Sequence, residues 1–82
     1  MQVADIVEGL ICAMVDEPDS VRCEEIEGGS RTRVIEGSVA SSDVGKVIGR
    51  KGANAGAIRQ LLLAIGGKNR VTYHLDLLQD RV

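Results

Sequence analysis

Gly49 and Gly52 enclose Arg50 and Lys51, and Lys46 stands one helical turn ahead of Arg50. Glycine has no Cβ, so it takes positive φ readily and lets another molecule's backbone come close. Two cations at the tip of such a loop, followed by a helix whose first N–H groups have no partner inside the helix, form a cradle for phosphate oxygens. The chemistry on offer is the holding of a polyanion. Catalysis is not expected, because the single histidine, His74, has no serine or cysteine nucleophile at a recognisable motif spacing.

Other glycine loops fit worse. A Walker A loop requires G-x-x-x-x-G-K-[S/T], but Gly45-Lys46 is followed by Val47, and Ala40 stands where the first glycine belongs. The dinucleotide fingerprint G-x-G-x-x-G fails at Val47. Cys12 and Cys23 are separated by ten residues with no C-x-x-C spacing, so neither zinc nor a disulfide framework is expected. They read as small hydrophobes of a reducing compartment.

The elements that position the loop follow from periodicity. Val3, Ile6, Val7, Leu10, Ile11 and Met14 recur at helical spacing, which predicts an amphipathic helix over 2–15 with Pro18 at its exit. Val21–Glu27 and Arg31–Ala40, separated by Gly28-Gly29-Ser30, read as a hairpin in which Arg33, Ile35, Gly37 and Val39 share a face. Ser41, Ser42 and Asp43 open a short helix that runs to about Ile48. Beyond Gly52, a stripe of Ala55, Ile58, Leu61, Leu62 and Ile65 predicts a second helix ended by Gly66-Gly67. A last strand follows from Val71, Tyr73, Leu75 and Leu77, which places Tyr73 in the core and His74 on the polar face.

In this arrangement Val47 and Ile48 leave the short helix on its apolar side and line a groove for unstacked bases, with Val34 opposite. The three leucines 61–63 cannot all face one core. Leu63 is expected outside, as a contact to another chain together with Leu62 and Ile65, or else beneath the first helix.

Composition sets the limits. At 82 residues and 44% hydrophobic, the chain suits one small α+β domain, modest in stability unless an oligomer adds buried area. The net charge of −2 hides a division: residues 1–30 carry eight acids against Arg22, whereas from Lys46 to Arg70 there are six bases and no acid. A polyanion can therefore be held locally by an acidic molecule. The apolar run IVEGLICAMV is interrupted by Glu8, too short to span a membrane and without the basic flank of a signal peptide, so a cytoplasmic, membrane-free protein is expected.

The stretches VASSDVGKVIGRKG and AGAIRQLL, with the acidic helix and the EIEGG turn before them, resemble the KH domain, and more closely the small bacterial single-KH-domain RNA-binding family KhpA. The resemblance covers nearly the whole chain. It implies a two-layer type II KH domain over residues 1–82, in the order α-β-β-α-(Gly-x-x-Gly)-α-β, with a three-stranded sheet and its helices on one face. It also implies that Gly49, Arg50, Lys51 and Gly52, with Lys46, Val47, Ile48 and Asn54, bind about four nucleotides of single-stranded RNA, without cofactor or metal, in post-transcriptional regulation. Homodimers, and complexes with a larger KH-containing RNA-binding protein, are the assemblies it implies. A protein-assembly module with a weak or lost RNA site is the alternative reading. Many KH domains carry a bulky aliphatic three residues after the second glycine, so Ala55 implies a shallower groove; Ala53 and Gly56 stand where close relatives are often basic, which implies weaker phosphate affinity.

Overall fold

The structure is a computed structural model that describes residues 2–78. Helix α1 spans Val3–Cys12 and is opened by a reciprocal pair: the Gln2 N–H donates to Asp5 Oδ2 at 2.9 Å and the Asp5 N–H donates to the Gln2 carbonyl at 3.0 Å. It stops short of the expected residue 15 for a tertiary reason. The N–H groups of Asp16 and Glu17 donate to the carboxylate of Asp43, at 3.1 and 3.0 Å, and this draws the chain out of the helix.

Strands β1 (Arg22–Gly29) and β2 (Thr32–Ser38) form the hairpin, antiparallel, with a bulge between Glu27 and Gly29. Helix α2 (Val44–Ile48) follows a single 3₁₀ turn at Ser41–Asp43, and a second such turn, Arg50–Gly52, leads into α3 (Ala53–Asn69). Strand β3 (Thr72–Leu77) pairs parallel to β2, which gives a mixed sheet in the order β1-β2-β3. This is the α+β arrangement of a type II KH fold.

The core lies between the helices and one sheet face. Val7 and Ile11 of α1, Ile35 of β2 and Leu62 of α3 are almost completely buried there. Cross-strand register explains which residues look inward: Glu25, Ile35 and Leu75 stand side by side, and of these Ile35 and Leu75 are buried. The next row, Ile26, Val34 and His74, lies on the other face by the period-2 alternation of strands. Val34 therefore does not stand opposite α2 as the sequence suggested.

Helix α3 also runs past its expected end. Gly66 and Gly67 lie inside it, and the left-handed cap residue is Arg70, with φ 58° and ψ 37°. The Val71 N–H closes the end by donating to the Gly66 carbonyl at 3.0 Å. Gly66 is needed for another purpose: a Cβ there would run into the carbonyl oxygen of Val71, so the glycine lets the chain fold tightly from α3 into β3.

Candidate nucleic-acid interface

The loop of Gly49 to Gly52 reverses the chain between α2 and α3. Gly49 has φ 78° and ψ 171°, and Gly52 sits at φ 78° and ψ 13°. Both angles belong to glycine, and nothing lies within 4 Å of a Cβ added at Gly52, so the surface there is open. Lys51 is itself left-handed, at φ 57° and ψ 26°, a conformation that costs a non-glycine residue about 1–2 kcal/mol. Arg50 and Lys51 are exposed, and neither side chain makes a hydrogen bond or ion pair with other described residues. Two uncommitted cations thus sit at the tip, beside the N–H groups of the first turn of the 17-residue α3.

The other residues singled out from the sequence divide. Val47 is only 1% exposed and belongs to the core, so its side chain does not line a groove. Packing of α2 against α3 turns it into the core cluster. Ile48 is half-buried against the same core. Ala55, 2% exposed, is also a core residue, so its small size bears on helix packing and not on groove depth. Lys46 faces acids: its Nζ lies 3.2 Å from Asp16 Oδ2 and 3.8 Å from Asp43 Oδ1. Asn54 donates from Nδ2 to the Lys46 carbonyl at 2.7 Å.

Asp43 is the residue whose importance periodicity could not show. It is read from the sequence as one of the residues that open α2, yet it is fully buried. There it holds the two N–H groups of the acidic connector and lies within reach of Lys46. Glu17 also accepts a hydrogen bond from Ser42 Oγ at 3.1 Å.

Two concavities flank α3. The larger, about 540 Å³, opens between α1 and α3, with Leu10, Met14, Ala57 and Leu61 among its lining and Lys46 and Asn54 at its loop end. An apolar continuation toward the start of α1 is lined by Ile6, Leu10, Leu61 and Ile65. The second, about 260 Å³, lies between α3 and the edge strand β3, where Arg59, Leu63, Tyr73 and His74 meet. Arg59 Nη2 donates to the Leu75 carbonyl at 3.4 Å. Sequence reasoning counted Arg59 only as part of the basic stretch; its position two turns beyond Gly52 on α3 was the available signal. Of the three leucines, Leu62 is 1% exposed, Leu61 52% and Leu63 62%, so Leu63 is outside and not beneath α1. Tyr73 is half-buried at the margin of the core and His74 is exposed.

Among the described residues no His, Cys, Asp and Glu cluster could hold a metal ion, and no helix is long and apolar enough to cross a membrane. Both cysteines are free thiols, half-buried. Burial, then the neighbouring Glu8 and Cys12, push the Cys23 thiol up to about 11, away from the thiolate form that redox chemistry uses.

Residues 4–77 match the family described as KhpA/KhpB, KH domain. Proteins named RNA-binding protein KhpA are similar over most of their length. The one from Chlamydia pneumoniae is 38% identical over 72 residues, covering 88% of this chain and 91% of that protein. The Mycobacterium tuberculosis strain H37Rv protein is 47% identical over 66 residues, 80% and 81% of the two chains. That of Borreliella burgdorferi is 40% identical over 74 residues, 90% and 89%.

Proposed function

We propose, from the premise that this chain belongs to the KhpA/KhpB family of KH domains, that it is a single-domain protein that clamps single-stranded RNA at the Gly49–Gly52 loop. The observation that carries the reading is the pair of exposed cations, Arg50 and Lys51, on a left-handed loop tip beside an open Gly52. Phosphates lie on the loop and the start of α3, and bases extend over the α3–β3 side. That side offers Arg59 and the edge of a strand whose main-chain groups can pair with base edges. The α1–α3 side is less suited to RNA, because its cation, Lys46, already faces Asp16 and Asp43.

One clamp on about four nucleotides binds weakly, about micromolar, so useful occupancy requires a second site on the same RNA. The exposed apolar side chains Ile6, Leu10 and Leu61 between α1 and α3 support pairing with a second copy there. Two loops on one RNA raise apparent affinity about 10²-fold when the RNA spans both. A larger KH-containing protein is the competing occupant of that surface. The cytoplasm is the compartment proposed for this work, in post-transcriptional regulation.

The test is a fluorescence anisotropy titration with an eight-nucleotide single strand and a blunt duplex of the same composition. The single strand binds in preference, and its affinity falls steeply as salt rises. Better binding of the duplex removes the clamp reading. Salt-independent association with protein alone favours an assembly module.

A further inference from the structure

We infer that Asn54 is the positioning residue of the loop: it latches the start of α3 to the end of α2 and thereby holds the left-handed backbone that displays Arg50 and Lys51. The inference rests on the RNA clamp proposed above and assigns what makes that clamp rigid before RNA arrives.

Three observations converge on it. Helix α2 has only five residues, and its end leaves carbonyls that no later turn can take. The Gly49 N–H takes the Gly45 carbonyl at 2.9 Å, and the Asn54 amide takes the next one, Lys46, at 2.7 Å. Secondly, Asn54 fills the space that Gly49 leaves. A Cβ at Gly49 would sit 2.6 Å from Asn54 Cγ and 2.7 Å from its backbone nitrogen, so the asparagine and the glycine are matched in shape. Thirdly, the backbone between them is strained. Lys51 and Gly52 are consecutive left-handed residues, and such a conformation persists at a non-glycine residue only where the surroundings over-determine it. The side chains of Arg50 and Lys51 provide none of that restraint, having no partner among the described residues. What spans the turn is two backbone hydrogen bonds, the Gly52 N–H donating to the Gly49 carbonyl at 3.1 Å and the Ala53 N–H donating to the Arg50 carbonyl, together with the Asn54 latch.

Asn54 therefore acts on RNA through the loop, with its amide committed to Lys46. The removal of a latch is distinct from the removal of a ligand contact, because it changes the protein before any RNA is present.

The experiment compares the wild-type chain with Asn54→Ala and Asn54→Asp. The aspartate is isosteric, cannot donate to the Lys46 carbonyl, and stands in the first turn of α3, where a carboxylate favours the helix. Amide hydrogen exchange at Gly52 and Ala53, whose N–H groups donate across the turn, is measured on the RNA-free proteins, and an eight-nucleotide single strand is titrated at several salt concentrations. Both variants are expected to exchange these loop amides about tenfold faster, with the β2 and β3 amides unchanged. Asn54→Ala is expected to bind about tenfold more weakly with the same salt slope, since no phosphate contact is lost. Unchanged loop exchange in both variants overturns the latch, and lost affinity alongside unchanged exchange means that Asn54 touches RNA itself. Faster exchange throughout β2 and β3 also overturns it, by making Asn54 a residue of the general fold. If the wild-type protein does not bind the single strand, the clamp fails while the exchange data still judge the latch.

Discussion

The two sides of α3 share one helix and differ in almost everything else. Toward α1 the groove is large and apolar, its cation is countered by Asp16 and Asp43, and Ile6, Leu10 and Leu61 stand exposed along it. Toward β3 the concavity is smaller, Arg59 crosses it to the Leu75 carbonyl, and the strand beyond is an edge. A helix whose one buried face runs through Ala55, Ile58 and Leu62 gains the character of its two flanks from its neighbours. An acidic connector on one side makes a poor place for phosphate and a good one for protein, while an open strand edge does the reverse.

The strongest way to break this contrast is at the loop that leads into α3. Arg50→Asp with Lys51→Asp is expected to weaken single-strand binding at least about 100-fold, because each carboxylate faces phosphate where a cation stood. Both side chains are exposed, so the thermal midpoint should move by less than about 3 °C. Undiminished binding in a gel-shift titration would falsify the loop as the site.

Next in size is the anchor of the acidic connector. Asp43→Ala leaves the N–H groups of Asp16 and Glu17 without their acceptor and is expected to cost about 3 kcal/mol in urea unfolding. A loss below about 1 kcal/mol would mean that water replaces the carboxylate and that the connector is not held through Asp43.

The two sides are then separated directly. Arg59→Ala is expected to bind RNA about tenfold more weakly, with the salt slope reduced by about one. Leu63→Glu, on the same side, should weaken RNA binding about fivefold by placing a carboxylate there, with self-association unchanged in light scattering. Leu61→Glu should do the opposite: a folded monomer whose binding to a short oligonucleotide is unaltered and whose binding to long RNA is reduced. If Leu61→Glu abolishes short-oligonucleotide binding while Arg59→Ala does nothing, the assignment of the two sides is reversed.

The last effect, confined to alkaline pH, lies under α1. The Cys23 N–H donates to Glu8 Oε1 at 2.9 Å, and the thiol is raised from 9.0 to about 11. Across that window the unfolded chain has given up the proton and the folded chain keeps it, so stability present below pH 9 is lost as the pH rises through 11. Denaturation of the wild type and of Cys23→Ala, compared from pH 8 to 11, should show a steeper decline in the wild type. Parallel curves would mean that the thiol titrates normally in the folded state.

Much of this architecture was legible in the residues. The helical repeat of α1, the hairpin and the alternation of β3 all appear within a few residues of their expected limits, because each is a local pattern that one buried face imposes on its own segment. The glycines of the loop were legible for the same reason, since positive φ is a property of single positions. Misreadings arose where a distant partner decides. Val47 and Ala55 have the apolar character of groove residues, but packing against other elements buries them; Val34 has the same character and lies on the far face through strand register. The Gly66-Gly67 pair looks like a helix end, yet Gly66 answers to the carbonyl of Val71 after the chain has turned. The sequence by itself determined the element order, the charged loop and the family, all carried by residue type and spacing. Tertiary structure alone decided that Asp43 is an internal anchor, that Lys46 is countered, that Asn54 bridges two helices and that α3 has two unlike sides, because each depends on which groups meet across gaps of up to 27 residues in the chain.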